Sequence, residues 1–199
     1  MKIEKSNATL NMAQLAILLK PETTSLVLDN VTMTGNDDSY HFLFQAMRGH
    51  PSLQELLWSN VIFQDPAVDQ NSLISVVLAS CSELVRFKLD NVEISTSALK
   101  CLNLSSSLTD VVIVNHEFTD DEVKDVAGAL VTMKSLENIE FWGPYLSDKA
   151  IKSVGGRLSL NKNIKTVKLE EFGEIIKLDE GGKGRPEPTD KKTSSAIAA

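Results

Sequence analysis

The sequence predicts an α/β solenoid, and three observations predict it. The first is a recurring pattern: Leu53, Leu56, Trp58, Asn60 and Val61 recur at the same offsets as Leu84, Phe87, Leu89, Asn91 and Val92. Leu108, Val111, Ile113 and Asn115 follow, then Leu136, Ile139 and Phe141, then Ile164, Val167 and Leu169, with a partial earlier copy at Leu26, Leu28, Asn30 and Val31. The second is spacing. Taking Thr23 as a degenerate start, the first positions fall 30, 31, 24, 28 and 28 residues apart. Units of this size bury their apolar side only against neighbouring units. The third is bulk: 199 residues at 42% hydrophobic and 24% charged suit a folded chain with a core.

Each unit opens on a short strand. Positions 4 and 6 alternate as one buried strand face: Leu26/Leu28, Leu56/Trp58, Phe87/Leu89, Val111/Ile113, Ile139/Phe141 and Val167/Leu169. Position 11 is apolar again (Met33, Phe63, Ile94, Phe118, Leu146) and turns the chain back inward. A helix follows. Thr119 with Glu122 three residues on reads as a capped start, before Val123, Val126, Ala127 and Leu130 at helical spacing. Ser147 caps the next, with Ile151, Val154, Gly155 and Leu158 as its stripe. Gly128, Gly155 and Gly156 are poor helix formers, so close approach of helix to strand layer is their expected use. Earlier stripes are Phe42, Leu43, Ala46 and Met47, then Leu73, Val76, Val77 and Leu78. The 24-residue unit has room only for an abbreviated helix around Ala98–Leu102, and the first two units carry longer loops.

These residues resemble the leucine-rich repeat of the ribonuclease-inhibitor-like type, over roughly Thr23 to Phe172, best from Ser107 to Leu169. The resemblance implies about five to six repeats, with parallel strands on a concave face and helices on a convex face. One departure stands out. The family places Asn or Cys at position 9, facing inward, whereas here position 9 is Val31, Val61 or Val92 and Asn stands one place earlier. Asn side chains bond nearby backbone readily, so these Asn remain candidates to tie the turn.

Three segments are expected: 1–22 as an N-terminal capping helix, 23–176 as the solenoid and 177–199 as a flexible tail. Leu10, Ala13, Gln14, Ile17 and Leu18 carry the first helix, which is either a cap or the second half of a unit whose strand is missing. The tail is rich in Gly, Pro, Lys and Ser and short of apolar residues. Net charge is −7, and the stretch from Lys177 contributes five Lys/Arg against four Asp/Glu, so the body before it carries −8. An acidic body without a Lys/Arg run argues against nucleic acid or anionic lipid as partner. Two cysteines, no apolar leader and no run long enough to span a bilayer point to a reducing, cytoplasmic setting without membrane insertion.

Chemistry is sparse. His41, His50 and His116 have no Cys or Glu spacing that suggests a metal, and Cys81 and Cys101 sit at apolar helical spacing as buried thiols. Asp120, Asp121 and Glu122 suit a helix start through the dipole. No catalytic residue, cofactor or metal is expected. Strand positions 3, 5 and 7 point away from the core. Row 3 is Ser25, Glu55, Arg86, Asp110, Asn138, Thr166; row 5 is Val27, Leu57, Lys88, Val112, Glu140, Lys168; row 7 is Asp29, Ser59, Asp90, Val114, Trp142, Glu170. On this face Trp142, Val114 and Val112 form an apolar island, with Lys88, Arg86, Leu57 and Glu140 nearby, the composition of a binding hot spot. The alternative for Trp142 is a lid folded onto Gly143-Pro144-Tyr145. The expected function is therefore non-catalytic: a scaffold that binds a protein partner through its strand face. The alternatives are a structural subunit of a larger assembly, or a regulator or bacterial effector acting by binding.

Overall fold

A computed structural model describes residues 1–66, 68–143 and 146–169, together with the strands Ile175–Leu178 and Gly184–Pro186. Strands and helices alternate along the chain: β1 (Lys2–Asn11), α1 (Met12–Leu18), β2 (Ser25–Thr34), α2 (Asp37–Met47), β3 (Glu55–Phe63), α3 (Gln70–Ser80) and β4 (Arg86–Asp90). There follow α4 (Thr96–Leu99) with a 3-10 turn at Lys100–Leu104, β5 (Asp110–Val114), α5 (Asp120–Leu130), β6 (Asn138–Trp142), α6 (Asp148–Leu158) and β7 (Thr166–Lys168). β8 (Ile175–Leu178) and β9 (Gly184–Pro186) complete one open sheet whose spatial order is the sequence order. β1 to β7 pair in parallel, and β8 and β9 add antiparallel strands.

The strand pattern has a direct cause. The alternating pairs at positions 4 and 6 are all buried and join the helix stripes in one continuous core. The first position of every unit, from Thr23 and Leu53 to Ile164, is buried as well. Between units the chain is tied at its entry turns. The Thr24 carbonyl accepts from the N–H groups of both Gln54 and Glu55, and the carbonyls of Gln54, Val85, Thr109 and Glu137 repeat the arrangement. Each helix starts on a polar cap: Asn11, Asn36, Asp69, Ser95, Thr119 or Ser147. Thr119 and Glu122 complete the expected capping box.

Position 8 accounts for the shifted Asn. Asn7, Asn30, Asn60, Asn91 and Asn115 all hold positive φ, from 50° to 57°. Their task is the left-handed turn that ends the straight part of each strand, which Asn tolerates better than other residues with a Cβ. Their side chains are exposed and bond sideways. Asn30 Nδ2 donates to Asn7 Oδ1, Asn91 Nδ2 to Asn60 Oδ1 and Asn115 Nδ2 to Asp90 Oδ1, each at 2.7 Å.

Buried ties also lie three residues before the first position of three units, at His50, Cys81 and Asn161. Asn161 is buried, donates to the Met133 carbonyl at 2.7 Å and accepts from Asn163 N–H. His50 does the same job, with Nε2 against the Lys20 carbonyl at 2.9 Å and Nδ1 accepting from Ser52 N–H. Cys81 donates to the Met47 carbonyl at 3.3 Å. His50 is thus a buried tie between units.

Five expectations need correction. Residues 1–22 are a strand and a helix, not a helix alone, because β1 pairs along its length with β2. Its apolar signal is thin: Ile3 stands opposite Leu26, but Lys5 stands opposite Leu28. Phe42 is 64% exposed; the buried stripe of α2 is Leu43 and Met47. Cys101 is only partly buried. Gly128 and Gly156 do not bring helix and strand together, since a Cβ at Gly156 would meet nothing within 4 Å and one at Gly128 only ordinary contact. Of the expected tail, Lys177–Leu178 and Gly184–Pro186 are strand, and the remainder lies outside the described residues.

Candidate functional site

The helices cover one face of the sheet, and strand positions 3, 5 and 7 present the other. Register makes these positions into straight rows, because parallel strands carry equivalent residues side by side about 4.8 Å apart. Glu55, Arg86, Asp110, Asn138 and Thr166 pair in one row; Leu57, Lys88, Val112, Glu140 and Lys168 in the next; Ser59, Asp90, Val114 and Trp142 in the third. All seven candidate residues therefore share this face.

Row 3 is a hydrogen-bonded line. Ser25 Oγ donates to Glu55 Oε2 at 2.8 Å, and Arg86 Nη1 lies 3.1 Å from Glu55 Oε1. Further along, Asn138 Nδ2 donates to Asp110 Oδ1 at 2.9 Å and Thr166 Oγ1 to Asn138 Oδ1 at 2.6 Å. Thr109 Oγ1 donates to Asp110 Oδ2 at 2.5 Å.

Rows 5 and 7 meet at Trp142. Its indole N–H donates to Glu140 Oε1 at 3.1 Å, and Lys168 Nζ approaches the same oxygen at 2.6 Å. The Lys168 ammonium also stands 6.0 Å from the centre of the Trp142 ring, within reach of a cation–π attraction. Burial pushes the Glu140 carboxyl up, but the hydrogen bonds from Lys168 and Trp142 and the charges of Lys168 and Lys88 outweigh it. The carboxyl is held below its ordinary range. Lys88 Nζ is itself paired with Asp90 Oδ2 at 3.1 Å.

Two features of the expected island change. Trp142 is half-buried rather than freely exposed, and Val114 is 4% exposed, so it offers no contact surface. Val114 lies between Asp90 and Trp142 in its row. The loop after Trp142 is seated closely: a Cβ on Gly143 would lie 2.0 Å from the His116 carbonyl oxygen. Pro144 and Tyr145, on which the lid alternative turns, lie outside the described residues.

Beside Trp142 a shallow depression of about 320 Å³ opens over β5, β6 and β7. Val112 is its apolar patch, and Asp110, Asn138, Glu140, Thr166 and Lys168 are its polar wall. Of these, Asp110, Asn138, Thr166 and Lys168 were not among the expected site residues. The available signal was a polar residue at position 3 of three successive units, Asp110, Asn138 and Thr166, and at position 5 of the last two, Glu140 and Lys168. Among the described residues, no group of three or more His, Cys, Asp and Glu side chains is placed to hold a metal ion. His41 is exposed, while His116 is half-buried with its ring 4.2 Å from that of Phe118. Burial lowers the His116 pKa against the raising effects of a Val92 backbone bond and nearby glutamates. No helix among the described residues is long and apolar enough to cross a membrane.

The chain matches no protein-family model and no curated protein.

Proposed function

We propose that the chain is a leucine-rich-repeat scaffold of the ribonuclease-inhibitor-like type that binds a protein partner, without catalysis, on its open strand face. Five units that each pair a strand with a helix and repeat an Asn-marked turn support the architectural part. One observation carries the functional part. Trp142, Glu140 and Lys168 are bonded together beside a depression that no described residue fills, on a face that the helices leave bare. A rigid aromatic anchor beside charged groups loses little conformational freedom on docking, which is the usual composition of an energetic hot spot. The test is capture from an extract of the cells that make the protein, followed by mass spectrometry. Trp142→Ala combined with Lys88→Ala removes the captured partner while the far-ultraviolet melt stays cooperative. Retention of the partner by the double variant moves the site elsewhere.

A second reading, a structural subunit of a larger assembly, draws on a different observation. Ile17 on α1 is 68% exposed and Phe42 on the adjoining α2 is 64% exposed. Ile17→Ser together with Phe42→Ser would then release the chain from its assembly and leave the strand-face variants without effect.

A further inference from the structure

We infer that the depression over β5–β7 receives a lysine or arginine side chain from an extended segment of the partner. This rests on the docking face proposed above and specifies its chemistry. The site already holds a cation. Lys168 places its ammonium 2.6 Å from Glu140 Oε1 and 6.0 Å from the centre of the Trp142 ring. Carboxylate and ring together are thus arranged around an ammonium, and the one they hold comes from the neighbouring strand β7 of the same face. Glu140 is kept ionised by its surroundings and accepts from both Trp142 and Lys168 on Oε1; among the described residues Oε2 has no hydrogen-bond partner.

The depression extends this arrangement towards Asp110, whose carboxylate is fixed in place by Asn138 and Thr109. Between the two carboxylates lies Val112. An apolar floor between two fixed anions suits a long aliphatic stem with a cationic head, since Lys and Arg lay their methylenes on apolar surface. Arg adds a planar fork that can take a carboxylate with two hydrogen bonds. The space of about 320 Å³ is wide enough for such a side chain. The chain carries a net charge of −7, which favours approach of a basic over an acidic segment. An acidic segment would meet Asp110 and Glu140 with like charge. On this reading Lys168 is a displaceable internal occupant, and the incoming cation takes its place on Glu140.

The test uses the full chain carrying Trp58→Phe, so that Trp142 is the sole indole reporter. Three blocked hexapeptides, of arginine, glutamate and serine, are titrated at low salt while Trp142 fluorescence is followed. The expected result is a saturable change with hexa-arginine only. Glu140→Gln should weaken it about tenfold, the scale of losing a close charged pair, and Lys168→Met should tighten it about threefold by removing the competitor. Hexa-arginine binding that both substitutions leave unchanged reports general attraction to an acidic surface and overturns the inference. So does saturable binding of hexa-glutamate or hexa-serine in place of hexa-arginine, although either would leave the docking face itself standing. Should Glu140→Gln fail to fold, Asp110→Asn and Lys168→Met carry the same decision. The docking face fails separately, if the Trp142 and Lys88 double variant still captures its partner.

Discussion

Asn60 shows how one residue type can set a repeat. Its φ of 51° is left-handed, and the same value recurs within a few degrees in the neighbouring units. A β-branched side chain there meets its own backbone. Asn60→Val is expected to cost more than about 1 kcal/mol, whereas Asn60→Gly should be close to neutral apart from its lost bond with Asn91. Chemical denaturation of the two variants checks the order. Gly143 is a different case, because its need is space rather than φ. With the His116 carbonyl oxygen 2.0 Å from where a Cβ would sit, Gly143→Ala must push the loop after β6 away from the loop after β5. Overpacking of this kind is expected to cost about 2 kcal/mol or more and to shift the emission of the adjacent Trp142. The Trp58 indole, fully buried, has no partner for its N–H among the described residues. Replacement by Phe removes an unsatisfied donor as well as volume, which is why Trp58→Phe serves as a mild reporter background.

At the scale of the element, the helices are held by caps and packing more than by propensity. Gly156 makes the point inside α6. It is exposed, its φ is not in the left-handed region and a Cβ would meet nothing within 4 Å. Gly156→Ala is therefore expected to stabilise the protein by about 0.5–1 kcal/mol, read as a raised melting temperature with partner capture unchanged. A packing task is the natural expectation for this glycine, since it adjoins Gly155 of the apolar stripe; its position on the outer side of the helix decides otherwise. The short unit follows its spacing more closely. The interval leaves room for one turn around Ala98–Leu102, and the chain fills it with α4 and a 3-10 turn. β1 escapes the periodic pattern for a physical reason. It has a strand neighbour on one side only, so its inward positions can hold Lys5 where inner strands hold Leu28 and Trp58. A charged residue turned inward on an edge strand also discourages pairing with another chain.

Across the whole molecule, titration couples to stability with a definite sign. Asp69 is held low by its Ser72 hydrogen bonds, Asp120 by Ser147, Glu122 by Thr119, and Glu140 by Lys168 and Trp142 against its burial. Each contributes stability that is complete above its ordinary value, 3.8 for Asp and 4.5 for Glu, and lost as pH falls through the lower folded value. His116 acts in the same direction. Burial lowers its pKa below 6.5, so the unfolded chain takes up the proton first and stability declines as pH drops below 6.5. Tyr40 has the opposite sign: burial, with Asp69 and Asp37, raises it from 10.0 to about 12, and its contribution is lost as pH rises through that interval. The melting temperature should therefore begin to fall below pH 6.5, an onset that His116→Gln abolishes, and again above pH 9, where the Cys81 thiol, pushed up by burial from 9.0, loses its contribution before Tyr40 does; Tyr40→Phe removes the part of that fall that sets in above pH 10.

The periodic part of this protein is written in its amino-acid order. Apolar residues at positions 1, 4 and 6 of successive units can be buried together in one way only, so strand register and the three rows of the open face follow from spacing alone. Three-dimensional packing decides what periodicity does not encode. It joins Trp142, Glu140 and Lys168 from two strands into one cluster and buries Val114 between its row neighbours. It also opens a depression lined by residues from three strands. These depend on which side chain leans on which between neighbouring strands, as Lys168 does on Glu140 28 residues away. That is settled by packing and hydrogen bonding in space, to which the spacing along the chain is indifferent.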